Sequence, residues 1–206
     1  MRGWIILAAT VAGGLALATG ARPSRPGARP ALGWRSALPA PSGPAVEVPG
    51  ALTPLSADAA GDVIAESYGA VTREEPTEQI VALLKAQSGF ETGRWRSMHS
   101  HNFGNVTHTG NGPYWARTVT EFLPEPTVKR MKFRAYDSAP QGADDWIGLL
   151  ERRYPAAWAV LQGSADPRSF VEALKAGRYF TGPLPDYAAG VSSLFREFTN
   201  TGRVFA

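Results

Sequence analysis

Proline placement sets the first limit on this chain's fold. Eight of its seventeen prolines fall between Arg22 and Pro54, interleaved with Ala, Gly and Ser. Such a stretch has too few large apolar side chains to bury a core. It is expected to run as an extended, partly polyproline spacer. Ahead of it, Arg2 precedes an apolar run from Trp4 to Ala21 that ends in small residues. That reads as a signal peptide or a signal anchor over residues 1–21, with membrane anchoring through residues 4–21 as the second form. Arg22, Arg25, Arg29 and Arg35 follow the run, and the positive-inside rule would favour the opposite orientation. Export to the periplasm, the cell wall or the medium is nevertheless the expectation. The domain layout is therefore 1–21 leader or anchor, 22–54 linker and 55–206 folded domain.

Within the folded part the periodicity is mainly helical. Ser56 can cap a helix running to about Tyr68. A second helix opening near Pro76 or Thr77 carries Ile80, Leu83, Leu84 and Gln87 on one face, with Gly93 placed to end it. Residues 115–122 and 128–136 are β-rich and flank Pro124-Glu125-Pro126, which predicts a hairpin. Ser138 with Gln141 has the capping-box pattern, and Pro155 closes the helix that follows. Asp166-Pro167 starts another helix that ends at Gly177, and a last one holds Tyr187, Val191, Leu194, Phe195 and Phe198. The class is α+β, mainly helical, with one small inserted β-hairpin.

Glu91 carries the strongest chemical signal. It lies seven residues after Leu84 and eleven after Ile80, which keeps it on the apolar face of its helix. A carboxyl extending a buried stripe is costly unless paired or functional, and burial favours its protonated form. A neutral carboxylic acid can donate a proton to a glycosidic oxygen. The plainer alternative is a structural partner for Arg94 or Arg96, and periodicity alone favours it.

Composition narrows the choices. There is no cysteine, which excludes disulfides, thiol nucleophiles and Cys-based zinc sites. A net charge of +3 is too small for a nucleic-acid binder of the histone kind, yet suits approach to an anionic polymer. His99, His101 and His108 cluster in one loop without a metal-site frame. That loop is expected to be exposed and to line a groove, with no metal and no cofactor. No phosphate loop, dinucleotide fingerprint or nucleophile elbow is present.

Five segments, in order, resemble the glucosaminidase-type peptidoglycan hydrolases. Ala86-Gln87-Ser88-Gly89-Phe90-Glu91-Thr92-Gly93-Arg94-Trp95 is similar to their active-site helix. Asn102-Phe103-Gly104-Asn105 is similar to the segment after it, with Asn105 where Ile is usual and Phe90 where Leu is common. Thr118-Val119-Thr120-Glu121-Phe122 and Phe133-Arg134-Ala135-Tyr136-Asp137-Ser138 resemble the hairpin strands. Ala176 to Thr181 and Pro185-Asp186-Tyr187-Ala188 resemble the closing segment. The resemblance spans about residues 56 to 199 and implies a lysozyme-like fold and a bacteriolytic glycosidase acting on peptidoglycan glycan strands as a monomer. Glu91 maps onto the family's general acid. Glu121 maps onto a second carboxylate that faces the cleft, where it would act as a base or stabilise charge. Asn102, Phe103, Tyr114, Trp115, Tyr136, Tyr179 and Tyr187 are the expected substrate-groove residues, since sugar faces stack on aromatic rings. The same pattern leaves open a lytic transglycosylase and a non-catalytic wall-binding protein.

Overall fold

A computed structural model describes residues 34–122 and 126–200, with side chains described outside 120–127. Its order is β1 (Val46–Glu47), α1 (Ala57–Thr72), α2 (Glu78–Glu91), β2 (Pro113–Phe122), β3 (Pro126–Arg134), α3 (Ala139–Arg153), α4 (Pro155–Gln162), α5 (Pro167–Ala176) and α6 (Leu184–Asn200). The fold is α+β and mainly helical, as the periodicity implies.

The helix starts follow their caps. Side chains of Ser56, Thr77, Ser138 and Asp166 accept from the backbone N–H groups of Ala59, Ile80, Gln141 and Ser169. The Gln141 side chain reaches back to the Asp137 N–H, one residue before the cap. Pro155 differs from expectation. It does end α3, but it also opens α4, since its fixed φ suits the first helical position. Eight residues are too few for a clear period, although Ala157, Trp158 and Leu161 are all buried.

One core joins the helices. Ile64, Leu83, Leu84, Trp95, Phe103, Trp146, Ile147, Phe170, Leu174 and Val191 all lie in it. Against it, β2 and β3 form the expected antiparallel hairpin with Trp115 opposite Phe133. Its turn, placed by the sequence at Pro124-Glu125-Pro126, falls mostly outside the described residues. A small second core of Trp115, Phe133 and Ala135 sits at the hairpin's base, packed by Val48 and Met131.

Folded contacts begin well before Leu55, inside the stretch expected to be a free spacer. β1 pairs in parallel with β2, and the Val48 N–H donates to the Tyr114 carbonyl. The N–H groups of Thr53 and Ser100 bond across to Met98 and Ala51. Further back, Arg35 forms a two-pronged pair with Asp144 of α3, at 2.6 and 2.8 Å, and also meets Glu66 of α1. Residues 34–54 thus form a strap from the helical face to the hairpin edge. A proline-rich segment can do this through its backbone groups, the ion pairs of Arg35 and Glu47 and the Trp34 ring against Gly69, features that composition does not report. The apolar run 4–21 lies outside the described residues, and no helix among those described is long and apolar enough to cross a membrane.

The Asp144 side chain is 1% exposed, so losing its partner would strand a buried charge. Breaking such a pair costs about 3–5 kcal/mol when both groups are buried. Arg35 is 26% exposed, so the lower end applies. Arg35→Ala is expected to destabilise the chain by roughly 3 kcal/mol, read as a lower urea midpoint at unchanged slope.

Candidate active site around Glu91

Glu91 is the last residue of α2 and is 8% exposed. The turn after it is built by its neighbours. The Thr92 hydroxyl donates to the Ser88 carbonyl at 2.7 Å and accepts the Trp95 N–H at 3.0 Å. Gly93 takes a φ of +59°, which glycine adopts without strain. Trp95 folds back into the core and donates its indole N–H to the Ser88 hydroxyl, which in turn donates to the Phe103 carbonyl. The Glu-Thr-Gly-x-Trp pattern therefore fixes the end of a helix and ties it to the next loop.

That loop is equally determined. The Asn102 side-chain amide donates to the carbonyls of Val106 and Arg134, and its oxygen accepts the Val106 N–H. Gly104 leaves no room for a β-carbon, which would meet Trp146 at 2.3 Å. Its carbonyl accepts the Tyr179 hydroxyl at 2.8 Å.

Among the described residues, two groups reach the Glu91 carboxyl. The Tyr187 hydroxyl donates to Oε1 at 2.6 Å, and Gln87, one turn earlier on α2, donates to that hydroxyl's oxygen at 3.1 Å. The Gln87 donor occupies an acceptor position of the Tyr187 oxygen and so points the phenolic hydrogen at Glu91. Asn105 donates to the Glu91 backbone carbonyl at 2.5 Å and lies 3.4 Å from Oε2. Among the described residues no cation pairs with Glu91. Arg94, the sequence's alternative partner, pairs with Glu197.

Burial pushes the Glu91 carboxyl up to about 7, against the opposing effect of the Tyr187 and Asn105 donors. Burial and then the neighbouring Glu91 charge push Tyr187 well above its ordinary value, so it stays a donor. The other fully enclosed carboxylates are engaged in pairs. Asp144 holds Arg35, while Asp145 holds Arg134 at 2.5 Å and accepts the Tyr136 hydroxyl at 2.7 Å.

Solved structures are similar to this chain in fold. The fold resembles an autolysin catalytic domain. That domain, of the autolysin Auto from Listeria monocytogenes, aligns with a TM-score of 0.52 at 17% identity over 72% of this chain and 88% of its own. A peptidoglycan hydrolase from Sphingomonas sp. A1 aligns at 0.49 and 24% identity, covering 72% and 92%. The glycoside hydrolase domain of Salmonella typhimurium FlgJ aligns at 0.46 and 21%, also covering 72% and 92%. No family model matches the chain, and no curated protein matches it.

The expected groove residues fare differently from the acid. Asn102, Phe103, Trp115, Tyr136, Tyr179 and Tyr187 are all buried, so they offer no open face to a sugar ring. Their ring faces pack inside the protein, and their polar tips, apart from the Trp115 indole N–H, bond there. Phe180 stacks on Tyr187 at 3.9 Å, Phe103 faces Trp146, and His99 covers Trp115. Motif position alone does not distinguish an aromatic that lines a cleft from one that props its wall. Tyr114 is the half-buried exception, between His108 and the Lys132 ammonium.

The histidine loop is also more enclosed than expected. The His99 and His108 rings bond to the carbonyls of Gly50 and of Asn111 and Gly112, while His101 is half-buried, and desolvation lowers its pKa. Among the described residues no three acidic or histidine side chains gather as metal ligands.

Glu121 stands in β2 opposite Thr127, seven pairs beyond Tyr114 and Arg134 at the hairpin base. At ~3.3 Å per residue that is about 23 Å along the strand. The loop that touches Glu91 joins the base, where the Arg134 N–H meets the Val106 carbonyl. Sequence reasoning passed over Gln87, which bonds to the Tyr187 hydroxyl, and Asn105, which reaches the acid itself. The spacing of Gln87, four residues before Glu91, is the signal that identifies it.

The raised Glu91 pKa also governs stability. The folded state holds this proton up to about pH 7, whereas the ordinary value is 4.5. Between those limits the folded state binds more protons, so its stability falls as pH rises through the window. That difference corresponds to about 3 kcal/mol. Glu91→Gln is expected to be more stable than the parent at pH 8, by up to ~3 kcal/mol, with the gap closing by pH 4.5. Paired urea titrations at the two pH values measure it.

Proposed function

We propose that this chain is a peptidoglycan hydrolase that cleaves the β-1,4 bond between N-acetylglucosamine and N-acetylmuramic acid, with Glu91 as general acid. The supporting observation is a buried carboxyl, paired with no cation among the described residues and held by a tyrosine donor, whose pKa burial raises to about 7. The names borne by the structures of similar fold point the same way.

The chemistry follows from the hydrogen-bond directions. Tyr187 donates into Oε1, so the acidic hydrogen belongs on Oε2. From there it passes to the glycosidic oxygen as the bond to the anomeric carbon breaks, and the leaving sugar departs as a neutral alcohol. Positive charge then grows at the anomeric carbon. Water completes hydrolysis, with Glu121 as its base or as the balancing charge. Tyr114 is the aromatic proposed to meet the sugar. The polymer lies outside the cytoplasmic membrane, so this reading requires export, for which the apolar residues 4–21 would serve as leader or anchor.

The place of Glu121 far along the hairpin favours a second reading, in which Glu91 acts as the only carboxylate. That is lytic transglycosylase chemistry, where the muramic acid's own hydroxyl replaces water and an anhydro sugar forms.

Mass spectrometry of digested peptidoglycan separates the readings. Reducing-end N-acetylglucosamine products are expected, with turnover falling as pH rises through about 7 because the acid must carry its proton. Glu91→Gln should lower turnover ~10²–10⁴-fold. Anhydromuramic products would transfer the assignment to the transglycosylase, and wall binding without products would leave a binding protein.

A further inference from the structure

We infer that Asn105 is a positioning residue for Glu91, holding the outer carboxyl oxygen and the last carbonyl of α2 at once. The inference rests on the proposed role of Glu91 as the acid, and the resemblance does not supply it. The residue usual at this place is isoleucine, which can donate nothing.

Three observations carry it. The first is reach. One Asn105 amide nitrogen lies 2.5 Å from the Glu91 carbonyl and 3.4 Å from Oε2. Its two hydrogens therefore serve the backbone and the side chain of one residue. The second is backbone shape. Asn105 sits at φ +47°, a left-handed conformation that asparagine tolerates and a β-branched residue does not. The departure from isoleucine is thus matched by the local backbone. The third is side. Tyr187 is fully buried and grips Oε1, whereas Asn105 is half-buried and meets Oε2. The carboxyl is held from both edges.

The unequal lengths have a consequence. The acidic hydrogen belongs on Oε2, because Tyr187 already donates to Oε1. A donor 3.4 Å away is only weakly engaged with a neutral acid. Once the proton leaves, Oε2 becomes part of a carboxylate, and the same N–H forms a charge-assisted bond. Asn105 then stabilises the product of proton transfer more than the resting acid, which is the kind of interaction that lowers a barrier. Without it, the ionised form of Glu91 loses support and its titration must move upward.

The test is carboxyl ¹³C NMR titration of the full-length chain labelled at glutamate, with Glu91→Gln to assign the signal. Asn105→Gly keeps the left-handed backbone and removes only the amide. Asn105→Asp keeps the size and replaces the donor with a like charge. In both, the Glu91 midpoint is expected above the parent's, with the larger rise in Asp, while melting temperature at pH 5 changes little. The alkaline limb of wall digestion should move the same way, and turnover should fall roughly tenfold. A Glu91 midpoint that stays put or moves down in both variants overturns the inference. If the parent digests no wall but the midpoint still rises, the Asn105 contact stands and the proposed hydrolase activity fails.

Discussion

The hydrogen bond from Tyr187 to Glu91 joins the two ends of the helical core. Glu91 closes α2, and Tyr187 lies near the start of α6, ninety-six positions later. The bond requires α2 and α6 to pack closely, and one glycine permits that. A β-carbon on Gly190 would lie 2.0 Å from the Phe90 ring. Phe90 in turn meets Tyr187 edge-on at 4.8 Å. The larger residue before the acid is therefore accommodated by a missing side chain on the facing helix. That fit sets the phenol's height against the carboxyl.

Around this bond, the residues that resemble an active-site motif serve mostly as support. Ser88, Thr92 and Trp95 fix the end of α2, Asn102 pins the next loop to the hairpin, and Gly104 admits the Tyr179 hydroxyl. A second line of support runs through neighbouring aspartates of α3. Asp144 fastens the N-terminal strap through Arg35, and Asp145 fastens the hairpin through Arg134 and Tyr136. One helix thereby anchors the two segments that lack a large core of their own.

The sequence made the helices and the hairpin legible because both follow from period and caps. The apolar stripe made the burial of Glu91 legible, while only the motif resemblance singled it out as a candidate acid. Three features escaped the sequence for separate physical reasons. α4 is too short to show a period. The strap is held by backbone bonds and the ion pairs of Arg35 and Glu47, which leave no trace in a proline-rich composition. The aromatics Tyr136, Tyr179 and Tyr187 occupy motif positions, yet burial depends on what packs above them, which motif position does not encode. For Tyr179 and Tyr187 the partners are Tyr154 and Phe180.

The position of the acid within its helix completes the physical account. A helix carries partial negative charge at its C-terminus, where carbonyls lack internal partners. A carboxylate there is opposed by that dipole as well as by burial. Both effects favour the protonated form, and in a water-excluded site neither is screened strongly. Left alone they would hold the proton too tightly for it to leave. The counterweights are Tyr187 on one oxygen and Asn105 near the other, and Asn105 also caps the carbonyl that contributes to the opposing charge. The same amide thus weakens the dipole's effect and supports the carboxylate. A carboxyl poised near neutrality results from this balance between a helix end that resists charge and two donors that accept it.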